Sequence, residues 1–374
     1  MLEPEPLQQI DRTYVRFRGL KLSYFSGCDY FRLSTHPRVI AALKAGVDRY
    51  GLNVAASRLT TGNHRLYLEL ERSLGDFFGV GSALVVPSGF MTNLIVAQAL
   101  AGSFSHALID EKAHPSLSEA ARMLDCPVLK FRHLDPPDLA RSVKRCGPGA
   151  KLMLLTDGLF SRDGSVALLR EYLKILPEDA LLLVDDAHAV GILGERGRGS
   201  VEYNKVSRRR IVQTLTLSKA FGTYGGAVIG PASLHQRIFE RSHIFFGSTP
   251  LPLPLANSAL QAVKLLQGER SFRRRLLNNV RYVRRALAVC GFKLKETPAP
   301  ILSLFPRHIG ETEKLKSALL KARIFPSFIR YPGGPDTGYF RFVLSSEHTS
   351  EQLENLVGVL ARYFANCVTS SECH

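Results

Sequence analysis

The sequence predicts an α/β fold with a mainly parallel sheet in a large domain, followed by a smaller α/β domain at the carboxy-terminal end. Three observations carry this. Short unbroken Leu/Val runs, such as Leu152–Thr156 and Leu181–Val184, are the pattern of strands buried on both faces. Segments of helical periodicity separate one run from the next. Beyond Leu255 the texture changes to long basic helical stretches and then short strands.

Taken in order, Pro37 at a helix N1 position and Val39, Ile40, Leu43 and Val47 at helical spacing predict a helix over 37–50 that ends near Gly51. Glu69–Phe78 repeats the pattern. Ala83–Val86 is expected as a buried strand, stopped by Pro87-Ser88-Gly89 and followed by an apolar helix to Leu100. The alternation continues with strands at Ala107–Ile109, Val128–Phe131, Leu152–Thr156, Leu181–Val184 and Ile211–Leu217. Helices are expected around Ser116–Leu124 and Ala167–Ile175. The last part should hold strands at Pro300–Phe305 and Tyr339–Leu344 and a helix over Ser350–Phe364. These shifts predict an arm and helix over 1–50, a large domain over 51–256 and a small one over 257–374.

At 374 residues, with 45% hydrophobic and 22% charged, the chain can bury one or two cores, which excludes a disordered tail and a disulfide miniprotein. No apolar run approaches the roughly 18 to 20 residues of a membrane span. The opening Met1-Leu-Glu-Pro-Glu-Pro lacks the basic and apolar regions of a secretory signal. Cysteines at 28, 126, 146, 290, 367 and 373 show no CxxC or zinc-like spacing, so no metal is expected and the cytoplasm is the expected compartment. The net charge of +16 favours polyanionic partners. It concentrates in Lys205–Arg210 and in a stretch where Arg270, Arg274, Arg281 and Arg285 recur at helical spacing, either a solvated face or a docking site. No helix-turn-helix, RNA-recognition or zinc pattern accompanies it, so nucleic acid is not the expected partner.

The residues that bear chemistry follow strand ends. In Leu182-Leu-Val-Asp185-Asp186-Ala187-His188, a greasy strand ends in two carboxylates and an imidazole, where open parallel sheets bind ligands. Asp185 is equally suited to cap a helix. About thirty residues on, Thr216-Leu217-Ser218-Lys219 closes another strand ahead of Gly222, Gly225 and Gly226. A lysine ringed by small residues there is either a desolvated nucleophile fit for Schiff-base chemistry or a surface lysine in a turn. Pro87-Ser88-Gly89-Phe90 opens a helix whose free amides suit a phosphate. Together these groups outline a site for a phosphorylated, carbonyl-bearing cofactor.

At this point the chain resembles the pyridoxal-phosphate enzymes of the aspartate-aminotransferase fold (fold type I), and among them the α-oxoamine synthases. The resemblance runs from Cys28 to Arg341. Its motifs appear in order: Ser88-Gly-Phe-Met-Thr-Asn93, Asp110-Glu-Lys-Ala-His114-Pro-Ser116, Thr156-Asp-Gly-Leu-Phe-Ser-Arg-Asp-Gly164, Val184-Asp-Asp-Ala-His188, Gly194-Glu-Arg-Gly-Arg-Gly199 and Thr216-Leu-Ser-Lys219. It implies pyridoxal 5′-phosphate (PLP) as cofactor, joined to Lys219 as a Schiff base, with Asp185 paired to the ring nitrogen. It further implies that His188 bonds the phenolic oxygen, that His114 stacks on the ring and that Ser161 lies beside it. Gly89, Phe90 and Thr216 would serve the phosphate. Ser248 and Thr249 would reach a phosphate in the partner subunit of a homodimer with shared active sites, and Arg341 would grip the substrate carboxylate.

The reaction so implied joins an amino acid to an acyl thioester, carried by coenzyme A or an acyl-carrier protein, with loss of carbon dioxide. The expected pair is L-alanine with a pimeloyl thioester, as in biotin synthesis; the alternative is glycine with acetyl-CoA. Where many relatives have Asn-Asp-Tyr-Leu-Gly-Leu, this chain has Cys28-Asp-Tyr-Phe-Arg32-Leu33, which replaces an asparagine at the substrate carboxylate. A glycine-rich run becomes Asn53-Val-Ala-Ala-Ser57, and Arg162 stands where relatives carry methionine. Cys28 and Arg12 are the remaining substrate-binding candidates.

Overall fold

The computed structural model describes residues 5–81, 83–330 and 337–369, the last four by backbone alone. The amino-terminal reading at Met1–Pro4, Cys373 and the side chain of Cys367 lie outside the described residues. Thirteen strands are described in chain order. They are β1 (Gln8–Gln9), β2 (Tyr14–Phe17), β3 (Leu20–Ser23), β4 (Ala83–Val86), β5 (His106–Asp110), β6 (Val128–Phe131), β7 (Leu152–Asp157), β8 (Leu181–Asp185), β9 (Ile211–Thr216), β10 (Gly226–Ile229), β11 (Ile301–Leu304), β12 (Phe328–Ile329) and β13 (Tyr339–Val343). Contacts divide the chain into two compact units, one of residues 36–160 and 166–270, the other of residues up to 35, 161–165 and from 271 on.

The larger unit is a seven-stranded sheet in the order β4-β10-β9-β8-β7-β5-β6. Strands β6, β5, β7, β8 and β9 pair in parallel, as the unbroken apolar runs predict. Their two faces feed two cores: Met153 and Leu155 of β7 join one cluster with Ile95, Leu117, Leu183 and Val212. Leu152 and Leu154 join the other, with Leu139, Tyr172, Leu182 and Val184. Both faces of β7 and β8 are therefore covered, which is why no polar alternation shows in them, whereas edge strand β6 leaves Val128 and Lys130 exposed. β10 runs antiparallel to both its neighbours, β4 and β9. Its four residues, Gly-Ala-Val-Ile, carry no signal of direction.

Local sequence explains the helices that frame this sheet. Helix Pro37–Tyr50 starts on a proline after His36, whose imidazole accepts from the Arg38 amide, and ends at Gly51 with φ of 66°. It packs on helix Leu253–Gly268, where a Cβ on Gly46 would fall 2.8 Å from the Pro254 Cα. Both helices thus belong to the larger unit. Helix Gly89–Leu100 begins at Ser88, whose Oγ accepts from the Met91 amide, directly after β4.

The smaller unit holds two antiparallel sheets, β1-β2-β3 and β11-β13-β12, with helices Ile309–Lys321 and Ser350–Thr369 and most of Arg270–Val289. Its amino-terminal segment is woven into its carboxy-terminal one. Ser23 bridges Ile324 in parallel, and the Val343 amide donates to the Phe25 carbonyl at 2.8 Å. In helix Arg270–Val289, Phe272, Leu276, Val280, Val283 and Leu287 form the buried stripe and the arginines the opposite face. No helix among the described residues is long and apolar enough to cross a membrane.

Candidate active site

In the larger unit the carboxyl ends of β4, β5, β7, β8 and β9 and the start of antiparallel β10 surround a cavity of about 240 Å³. Lys219, Asp185, His188, His114, Gly89, Phe90 and Thr216 all line it. The sequence separates these residues by up to five strands; the parallel order brings their strand ends to one edge of the sheet. Among the described residues no group of three His, Cys, Asp or Glu side chains could hold a metal ion.

Asp185 is buried at the end of β8, with Oδ1 accepting from the Ala187 amide at 2.9 Å and Oδ2 from the Asn93 side-chain amide at 2.7 Å. Both oxygens thus have hydrogen-bond donors. His188 is buried three residues on, and Lys219 is half-buried just past β9. Thr216 Oγ1 pairs with Ser218 Oγ at 2.8 Å and donates to the Gly225 carbonyl at 3.2 Å. A Cβ on Gly89 would fall 2.4 Å from the Thr216 Cβ, so only glycine lets the helix start lie against that strand. Phe90 stands half-exposed, edge-on to His114 with ring centres 6.3 Å apart.

His114 precedes helix Pro115–Met123, and its Nδ1 accepts from the Ser116 amide at 3.2 Å and lies 2.7 Å from Ser116 Oγ. Burial lowers its pKa; Asp185 pulls the other way, and Lys219 adds to the lowering. The His114 backbone amide donates to Asp157 Oδ2 at 2.8 Å. Asp157 also lines the cavity, opposite Asp185 in the β7–β8 register. Burial first, then the negative Asp185, drives the Asp157 carboxyl well above its usual range.

Four polar residues of this site were not singled out by sequence reasoning: Asn93, Ser116, Asp157 and Thr214. Asn93 was legible in principle, as a polar residue in the first turns of a mostly apolar helix Gly89–Leu100 whose other amide, Gln98, comes near its end. Asp186, the second of the two carboxylates at the end of β8, is not among the walls of the cavity. Its fully buried carboxylate accepts from the Ser200 amide at 2.8 Å, from Ser200 Oγ at 2.6 Å and from Gln213 Nε2. Burial pushes its pKa up to about 7 against the pull of these donors and of Arg208.

The remaining candidates lie elsewhere. Ser248 and Thr249 are not among the walls of the cavity; Ser248 donates to the Ile244 carbonyl at 2.6 Å and Thr249 is exposed. Ser161 sits in the short 161–165 segment of the smaller unit. Arg341 lies on β13 of that unit, opposite Ser303, with its amide donating to the Ser327 carbonyl. Cys28 is half-buried there as a free thiol. Arg12 is engaged with Glu347 at 2.9 Å, a carboxylate that Arg275 also holds at 2.8 Å. Part of the basic charge has internal work: Arg208 binds Gln213, and Arg210 donates to the Leu173 and Pro177 carbonyls.

The cavity chemistry suits PLP. A lysine amine offers the attachment, a buried carboxylate the partner for a ring nitrogen, and the opening amides of helix Gly89–Leu100 a seat for a phosphate. The closeness of Gly89 to Thr216 leaves those amides unshielded by any side chain of residue 89. Such a lysine-centred pocket at the carboxyl edge of a parallel sheet defines the class as a cofactor-dependent α/β enzyme.

Comparison with known proteins narrows the class. The family model for aminotransferase class I and II matches residues 25–360. An 8-amino-7-oxononanoate synthase of Thioalkalivibrio sulfidiphilus is 35% identical over 347 residues, covering 92% of this chain and 88% of the relative. A serine palmitoyltransferase of Sphingobacterium spiritivorum is 30% identical over 362 residues, covering 96% and 90%. Among solved structures, a serine palmitoyltransferase from S. paucimobilis with PLP and myriocin bound superposes with a TM-score of 0.89 at 26% identity, covering 96% of this chain and 91% of that one. The chain belongs to the aminotransferase class I and II family, in its α-oxoamine synthase branch of PLP-dependent acyltransferases.

Proposed function

We propose that this enzyme condenses L-alanine with a pimeloyl thioester and releases coenzyme A and carbon dioxide, as an 8-amino-7-oxononanoate synthase does. The observation that carries the chemistry is the meeting of Lys219, Asp185, His114 and His188 around one cavity. Relatives of that name at 35% identity support the choice of substrates. Bound in the cavity, PLP supplies a conjugated sink for carbanion electrons. The Asp185 carboxylate favours a protonated ring nitrogen, and His188 is placed to bond a phenolic oxygen. The Gly89 and Phe90 amides and Thr216 hold the phosphate. The Lys219 amine removes the α-proton as general base. Arg341 holds the substrate carboxylate through its bidentate guanidinium. Ser161 flanks the ring, Cys28 and Arg12 serve the substrate, and Ser248 and Thr249 complete the site of a second copy in a homodimer.

A second reading, glycine with acetyl-CoA, draws on Asp157-Gly158 and on His188-Ala-Val-Gly191. The test has two parts. Purified protein supplied with PLP should show a band near the visible edge that borohydride abolishes and that Lys219→Ala lacks. Free thiol is then followed with L-alanine and pimeloyl-CoA, with glycine and acetyl-CoA, and with L-serine and palmitoyl-CoA. Release with the first pair supports the proposal; release confined to either other pair overturns it.

A further inference from the structure

Asn93 is fully buried in the larger unit, on the first turns of the helix that follows β4, and every polar atom of its side chain is engaged. Its Oδ1 accepts from Thr214 Oγ1 at 2.6 Å. Its Nδ2 donates to Asp185 Oδ2 at 2.7 Å and to Ser116 Oγ at 3.0 Å. The Ser116 amide donates to His114 Nδ1, which makes that nitrogen the acceptor. With its oxygen taken up by Asn93, the Ser116 hydroxyl is left to donate to the same nitrogen at 2.7 Å. Donor and acceptor roles are therefore set along the whole chain from Thr214 to His114. The imidazole must carry its proton on Nε2.

We propose that Asn93 is a positioning residue that couples Asp185 to His114: it orients the carboxylate and, through Ser116, holds the imidazole as the neutral Nε2–H tautomer. The inference rests on the PLP reading above. The physical sense lies in charge. A ring nitrogen paired with Asp185 is cationic, and an imidazolium stacked on that ring would repel it. Protonating His114 at Nδ1 would also set a new donor against the two donors of Ser116. The charged groups bearing on His114 are Asp185 and Lys219, with Asp157 on its backbone amide.

The test compares wild type with Asn93→Asp and with the near-isosteric Asn93→Leu. Apparent PLP affinity is measured by fluorescence between pH 6 and 8.5, and the His114 tautomer by ¹⁵N shifts in histidine-labelled apoprotein. Asn93→Leu should bind PLP about 10- to 100-fold more weakly, the scale of a lost bond to a charged group, and its His114 should show mixed tautomers. Asn93→Asp brings a second carboxyl against Asp185, so its deficit relative to wild type should be largest at pH 8.5 and shrink as pH falls. A deficit that is constant with pH, or affinities equal to wild type, would overturn the coupling. So would a wild-type His114 protonated on Nδ1. Should Asn93→Asp not fold, Thr214→Val, which removes the bond to Asn93 Oδ1 and a longer one to the Val184 carbonyl, must weaken PLP binding several-fold. Wild-type protein that takes up no PLP refutes the functional reading instead, and the tautomer measurement still decides the coupling.

Discussion

The carboxyl of Asp186 offers a measurable coupling between pH and stability. It is fully buried, and its pKa of about 7 lies some three units above the ordinary value of 3.8. The folded chain therefore binds this proton more tightly than the unfolded chain does. Stability from this group is fully present below pH 4 and is lost as pH rises through 7. At about 1.4 kcal/mol per unit, the loss amounts to about 4 kcal/mol. The perturbation is Asp186→Asn, which keeps the shape and cannot ionise. Its amide must also face the donors on Ser200 and Gln213, so the variant should be less stable overall. The informative quantity is the slope. Urea unfolding of the apoprotein at half-unit steps from pH 4 to 8.5 should show wild-type stability falling from about pH 4 to pH 7 and levelling off above 7, a fall that the variant lacks. Parallel curves for the two proteins would refute the assignment of this proton to Asp186.

Two further outcomes follow from the larger unit. Arg58 and Glu71 form a buried pair at 2.5 Å, and both contact the backbone of Val85 on β4. Arg58→Leu strands the Glu71 carboxylate and should cost about 3 to 5 kcal/mol, read as a fall in the urea midpoint. Simultaneous Arg58→Leu and Glu71→Leu should recover much of it. Gly89→Ala puts a methyl 2.4 Å from the Thr216 Cβ. It should fold, lose PLP affinity at least ten-fold and cost the apoprotein about 1 to 3 kcal/mol in urea unfolding, as the half-buried helix start must shift away from the strand.

Much of the fold was open to a reading of the chain alone, for identifiable reasons. Strands such as β6 and β7 are short, greasy and bounded, and their neighbours repeat at helical spacing, so both type and limits could be read. β10 was missed because its Gly226-Ala-Val-Ile229, directly after Gly225, looks like the tail of a turn. Helix Pro136–Arg145 was missed as well: only Leu139 and Ser142 of it are buried, too few to show a period. At the cavity, Lys219, Asp185 and His188 stood out because each ends a strand. Asn93 and Thr214 did not, since a buried polar side chain announces itself only through partners that lie strands away. Arg12 shows the converse difficulty. A cation in an arm looks free until the carboxylate it meets, Glu347, is located more than three hundred residues on.

The place of β10 bears on how the molecule comes to be made. Gly226 lies opposite Val86, so β4 has its only lateral neighbour in the sheet supplied by the last of the seven strands to leave the ribosome. Until then the apolar Ala-Leu-Val-Val segment waits with open backbone groups, a template for unwanted pairing. Gly226 also admits that late strand beneath the helix start, since a Cβ there would press within 2.8 Å of the Ser88 carbonyl. The start of helix Gly89–Leu100 and Lys219, which share the walls of one cavity, thus become neighbours only once this late strand is in place.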